Sequence, residues 1–238
     1  MNHLLRKNKG HTFKHSGDLG DIIYSLPTVK ALGGGVLYLD KNGGRGSLDI
    51  PTKLDSTGIR SVKDLLLLQP YIYDVLEWSG QRVDYDLDLF RDHLDVGNLC
   101  DCHLAAFNLP VVLKEEKWLE VPGKSISGKS VIFSRSCRYQ SNHIFWEKIC
   151  RTIDLDKVFF VGHRKEHEIF EMAFSTKVDY VDTPTLLDAA CLIDGVDEIY
   201  CNQNVIHAIS QGLHKNIYLE VFRLYPNTIF NRFGVTNV

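Results

Sequence analysis

The chain has 238 residues, 44% hydrophobic and 24% charged, with a formal net charge of −3. That length holds one large domain or two small ones, each able to bury a core, and the composition is that of a globular protein. The near-neutral balance excludes a general polyanion binder while leaving room for a local basic cleft, and no apolar run approaches the ~20 residues that cross a bilayer.

The opening MNHLLRKNKGHTF has charge but no apolar core and no small-residue cleavage site, so no secretory signal is expected. The strands of the first half are expected at His11–Lys14, Gly35–Asp40, Tyr73–Glu77 and Tyr85–Leu89, with helices at Asp21–Leu32, Val62–Leu68 and Asn98–Phe107. Between them Asp40–Ile59, rich in Gly, Lys, Arg, Asp and Ser and carrying Lys41, Arg45 and Lys53, reads as a long loop. The run Asp84-Tyr85-Asp86-Leu87-Asp88 alternates as an exposed strand face does, with a structural or acceptor-side role. Pro, Gly and Ser cluster in Glu120–Lys129, which reads as a linker between residues 1–122 and 123–238.

The second half alternates regularly. Strands are expected at Ser130–Ser134, Lys157–Gly162, Val178–Asp182, Glu198–Asn202 and, last, Asn216–Phe222. Helices are expected at Ile144–Thr152, Lys165–Phe174, Thr185–Ile193 and Val205–Gly212. Strands alternating with helices of this length imply parallel sheets. The fold class is therefore α/β. Ligands of such sheets bind outside the carboxyl ends of the strands.

Six cysteines, Cys100, Cys102, Cys137, Cys150, Cys191 and Cys201, are irregularly spaced and fall mostly in apolar segments. Free thiols in a reducing, cytoplasmic compartment are expected. Cys100-Asp101-Cys102-His103 lacks a second ligand pair at zinc-site spacing, so no metal site is expected.

The richest stretch is Phe13–Leu39. An apolar run leads into Ser16-Gly17-Asp18-Leu19-Gly20-Asp21 and then a helix. Gly17 and Gly20 permit close backbone approach to a ligand. A helix N-terminus at this place favours an anion. Asp18 and Asp21 sit at its mouth, as helix caps on one reading and as acceptors or bases on another.

HSGDLGDIIYSLPTVKAL resembles the N-terminal signature of the heptosyltransferase-like (family 9) glycosyltransferases. Gly20-Asp21-Ile22-Ile23 precedes Ser25-Leu26-Pro27 at that family's spacing. The resemblance covers about residues 12–40 and 129–230. It implies a GT-B-like architecture, two Rossmann-like domains facing a central cleft, with an acceptor side in 1–122 and a nucleotide-sugar donor side in 123–238. Asp21 is then the catalytic base and Asp18 the competing carboxylate, while Ser16, Gly17 and Gly20 shape the loop.

On the donor side the resemblance points to three loops. After Ser130–Ser134 come Arg135, Arg138 and Tyr139, ahead of Trp146; the family's Lys before the Trp is missing, so an arginine would replace it. After the next strand come Gly162, His163 and Glu166, where Glu166 also suits a first helical turn. After Glu198–Asn202 come Asn202, Gln203, Asn204 and His207. Amides there replace the family's Asp, Ser/Thr and Gly, and His207 also reads as an ordinary helix-face histidine. The implied reaction is an inverting, metal-independent transfer of a sugar from a nucleotide-diphosphate sugar, with no other cofactor, to an acceptor hydroxyl on a glycan, a lipid-linked sugar or a modified nucleic acid. Two alternatives on the same architecture are a nucleotide-sugar epimerase or hydrolase and a binding protein without catalysis.

Overall fold

The computed structural model describes residues 10–42 and 54–238. Arg45, Lys53 and most of the loop read over Asp40–Ile59 lie outside the described residues. Lys41 pairs with Glu77 at 2.8 Å.

The first sheet is built from β1 (His11–His15), β2 (Gly35–Leu39), β3 (Ile72–Glu77) and β4 (Tyr85–Asp86), in the order β3-β2-β1-β4. Helix α1 (Leu19–Ala31) joins β1 to β2, and α2 (Ser56–Leu67) precedes β3. Helix α1 starts two residues before the predicted Asp21. The reason is a capping box in which Asp18 is the N-cap and Asp21 the third helical residue. The main correction concerns Tyr85–Leu89. The chain leaves the sheet after Asp86 and coils into a 3-10 helix, Leu87–His93. Its Asp88 is buried, not exposed, because four donors converge on it. Helix α3 (Leu99–Ala105) follows.

The second sheet comprises β5 (Val131–Ser134), β6 (Val158–Phe160), β7 (Asp179–Tyr180), β8 (Glu198–Asn202), β9 (Asn216–Glu220) and β10 (Val235–Asn237). Its helices are α4 (His143–Thr152), α5 (Arg164–Phe174), α6 (Leu186–Asp194) and α7 (Val205–Gly212). Strand β10 extends the sheet beyond the segment expected to be last. It has three residues, of which only Val235 packs against the core, too little pattern to read from sequence.

All strand pairs in both sheets are parallel. The second sheet runs β10-β9-β8-β5-β6-β7, so its order reverses between β5 and β8. The first reverses between β1 and β4. Such reversal points leave a crevice at the carboxyl ends of the strands. The loops they expose are 16–21 and 87–93 in one half, 135–142 and 202–205 in the other.

The pleat of the second sheet sorts its side chains to two faces. Phe133, Phe160 and Tyr200 pack outward with Trp146 and Phe170. Ile132, Phe159, Ile199 and Cys201 pack inward and join a cluster that also contains Phe13, Ile22, Leu26 and Leu37 from the first half. Helix α1 lies against α7, and α2 against α6. A single apolar core therefore runs through both sheets.

Candidate active site

The two reversal points face each other across a cavity of about 590 Å3, within the range that holds a small-molecule ligand. The N-cap Asp18 and Gly20, Asp21 and Tyr24 of α1 line it with Arg91 from the 3-10 helix. Arg138, Tyr139, Asn204 and Tyr225 line the opposite side. Sequence and topology thus bring Asp21 and Arg138 to one space from positions 117 residues apart.

Asp21 is shaped by its place in the first turn. One carboxylate oxygen accepts the Asp18 N–H at 3.1 Å. Burial and the neighbouring Asp18 charge push its pKa up to about 7, while that bond, Arg91 and Arg138 pull the other way. A carboxyl poised there exchanges protons at neutral pH. Gly17 supports it by close packing: a Cβ there would lie 2.6 Å from His15 and 2.7 Å from Asp21. At Gly20 a Cβ would meet nothing nearer than a Tyr24 ring atom at 4.0 Å, so that position opens on the cavity.

Beneath the loop lies a buried polar layer. Asp88 accepts the Ser16 N–H at 2.9 Å, the Ser16 hydroxyl at 2.7 Å, Lys14 at 2.9 Å and Arg91 at 2.6 Å. These donors hold its carboxyl far below the usual range despite burial. Ser16 is consequently spent on Asp88. The Gly17 N–H donates to His15 Nδ1 at 2.8 Å, which leaves His15 Nε2 as the donor to His103 Nε2 at 3.0 Å; His103 Nδ1 then donates to the Leu99 carbonyl at 2.7 Å. Both rings are neutral, and burial lowers His15 to about 4.

The donor-side residues divide. Arg138 reaches across to Asp18 at 3.2 Å, and Tyr139 beside it is held at a left-handed φ of 54°, a conformation that needs support from its surroundings. Asn204 caps α7 by accepting the His207 N–H at 3.1 Å. The Val205 and Ile206 N–H groups have no acceptor among the described residues and sit at the positive end of the helix. Gly162, His163 and Glu166 line a smaller cavity of about 210 Å3 that shares Asn204 and Val205 with the main one. Glu166 accepts the His163 N–H at 3.2 Å and the Cys137 N–H at 3.3 Å.

Arg135 is placed differently from the expectation. It is 7% exposed and forms a two-point pair with Glu220 at 2.8 and 2.9 Å. Glu220 also accepts the Trp146 indole N–H and the Ser141 and Asn142 amides. A guanidinium so engaged holds the loop and does not line the cavity. Asn202 is fully buried and bonds the backbone of Ser136 and Arg138. Gln203 lines the cavity, yet its amide is committed to Tyr225, Thr228 and Phe222. His207 is buried between Tyr24 and Gln211. Sequence reasoning missed Tyr24 and Arg91 as lining residues. Tyr24 alone carried a usable signal, one helical turn after Asp21.

No family profile matches the chain, and no curated protein matches it significantly in sequence. Solved structures do match. E. coli heptosyltransferase WaaC with ADP-2-deoxy-2-fluoro heptose superposes with a TM-score of 0.56 at 8% identity, over 95% of this chain and 92% of that one. The glycosyl transferase family 9 protein from Veillonella parvula DSM 2008 gives 0.55 at 11% identity, over 95% and 84%. The chain has the GT-B fold. A third match, the dodecameric iron-containing heptosyltransferase TibC in complex with ADP-D-beta-D-heptose, gives 0.59 at 11% identity. This chain covers 63% of TibC. At these identities the likeness concerns the fold alone. Among the described residues no group of three His, Cys, Asp or Glu is placed to hold a metal, and no helix is long and apolar enough to cross a membrane.

Proposed function

We propose that this protein is a glycosyltransferase that moves a sugar from a nucleotide-diphosphate sugar to an acceptor hydroxyl, inverting the anomeric centre without a metal. The observation that carries the reading is Asp21, a carboxyl with a proton affinity near neutrality, in one cavity with Arg138 and the open N-terminus of α7. Asp21 takes the acceptor proton as the acceptor oxygen bonds the anomeric carbon. The bond from that carbon to the diphosphate oxygen breaks, and the electron pair leaves with the diphosphate. The N–H groups of Val205 and Ile206 and the Arg138 guanidinium meet the developing charge, an arrangement that supplies much of the rate enhancement in comparable sites. The smaller cavity beside Gly162 and Glu166 accommodates the nucleoside. ADP-linked sugars, found with WaaC and TibC, are the first donors to try.

A thermal-shift screen of nucleoside diphosphates and nucleotide sugars tests the binding half. A ligand at 100 times its Kd adds roughly 2.7 kcal/mol of stability. Labelled donor incubated with pooled glycan and glycolipid acceptors tests the transfer. Absence of any nucleotide-sugar binding at millimolar concentration removes this reading.

A further inference from the structure

The Tyr24–His207 contact crosses from α1 to α7, and its direction can be deduced. Arg232 has only donors, and its Nε donates to Gln211 Oε1 at 2.8 Å. That fixes the Gln211 amide with its NH2 toward His207, 2.9 Å from Nε2. His207 Nε2 must then be the acceptor. Burial lowers the histidine to about 3, so it is neutral and carries its single proton on Nδ1. This proton is donated to the Tyr24 oxygen, 2.7 Å away. The chain of donation runs Arg232, Gln211, His207, Tyr24.

At its end one hydrogen is left over. The Tyr24 hydroxyl has accepted from His207, so its own O–H still needs an acceptor. None lies within reach among the described residues, although the side chain is only 2% exposed. A buried donor left without an acceptor carries its full desolvation cost. Tyr24 lines the main cavity, its ring edge lies beside the open space at Gly20, and its hydroxyl meets α7 at His207, in the same first turn as the unfilled Val205 and Ile206 amides.

We infer that Tyr24 is a ligand-contacting residue whose hydroxyl donates to a phosphate oxygen of the bound diphosphate, and that His207, Gln211 and Arg232 are positioning residues that turn the hydroxyl hydrogen toward the cavity. The inference rests on the nucleotide-sugar reading above. It assigns His207 a role through Tyr24, in place of direct donor contact.

The relay can be reversed without removing a bond. In Gln211→Glu the carboxylate still accepts from Arg232 and now also accepts from His207 Nε2. His207 Nδ1 becomes an acceptor and captures the Tyr24 hydrogen. Calorimetric titration with ADP and with adenosine is made on the wild type, Tyr24→Phe and Gln211→Glu, with unfolding temperatures recorded alongside. The expected result is a tenfold or greater rise in Kd for ADP in both variants, unchanged adenosine binding and a folded Gln211→Glu protein. A merely structural tie between helices would lower stability in Tyr24→Phe and leave ADP binding in Gln211→Glu at the wild-type value, which overturns the inference. Should Tyr24→Phe not fold, the Gln211→Glu titration decides alone. Should wild-type protein bind no ADP or other nucleoside diphosphate, the nucleotide-sugar reading itself falls and this inference with it. Normal wild-type binding with unaffected variants sinks the Tyr24 assignment only.

Discussion

The two sides of the cleft are built on opposite plans. On the α1 side a carboxyl is kept available: Asp21 faces the cavity, while Ser16, Asp88, Lys14 and the two buried histidines brace the loop from below. On the α7 side most of the polar side chains at strand ends are engaged with one another. Arg135 is closed on Glu220, Asn202 on the Ser136–Arg138 backbone, Gln203 on the 222–228 segment. What that side offers is backbone N–H, Arg138 and a cap. A strand-end position therefore locates a residue near the site without making it available to a ligand.

The sharpest test of the contrast is Asp21→Asn. The amide keeps the shape and still accepts the Asp18 N–H. Transfer should fall by about 10²-fold or more, the usual cost of losing a general base, with ADP affinity almost unchanged. The wild-type pH–rate profile should lose activity tenfold per unit below about pH 7, where Asp21 takes up its proton. The stability effect has the opposite sign to activity. Because folding raises the Asp21 proton affinity, the folded protein binds more protons than the unfolded one between its ordinary value and about 7, so this group lowers stability as pH rises through that window. Asp21→Asn should thus unfold at a higher temperature than wild type at pH 8, with the gap closing toward pH 4.

Next in size is Arg135→Leu, which strands Glu220 as an uncompensated buried charge. A loss of about 3–5 kcal/mol is expected in denaturant unfolding. A nearly neutral outcome would return Arg135 to the ligand side and blur the comparison. Arg138→Ala should behave in reverse. Its pair with Asp18 is well exposed, so stability should change by less than about 1 kcal/mol. Loss of a charge-assisted bond to phosphate, about 1.5–3 kcal/mol, should weaken ADP binding by one to two decades in calorimetry. The smallest effect is expected at Gly20→Ala. An alanine inside α1 should add up to about 1 kcal/mol of stability, while its methyl enters the cavity and weakens ligand binding. A stabilised variant with full affinity would show that ligand does not approach the loop at this point.

The alternation of apolar runs and helical periods was sufficient to read the strands of both parallel sheets except β10, and the Gly-Asp loop was sufficient to put Asp21 in the first turn of α1. Long-range polar pairing was not legible. Arg135 and Glu220 lie 85 residues apart and Tyr24 and His207 lie 183 apart. Nothing in either local sequence announces its partner. The alternation in Asp84–Asp88 misled because period two also fits a chain leaving a sheet into a 3-10 turn. What distinguishes Asp88 is the set of donors that meets it, and those come from Lys14, Ser16 and Arg91.

The shared core has a consequence for how such a protein can be remodelled. Ile22 and Leu26 of one half and Ile206 and Ile209 of the other belong to one buried cluster, and Trp118 and Leu119 donate their amides to Gly212 across the same seam. Recombining the front of this chain with the back of another GT-B protein would cut through interdigitated side chains. A chimera would need matched α1 and α7 surfaces, and grafting of new specificity is better done loop by loop on the intact pair of sheets.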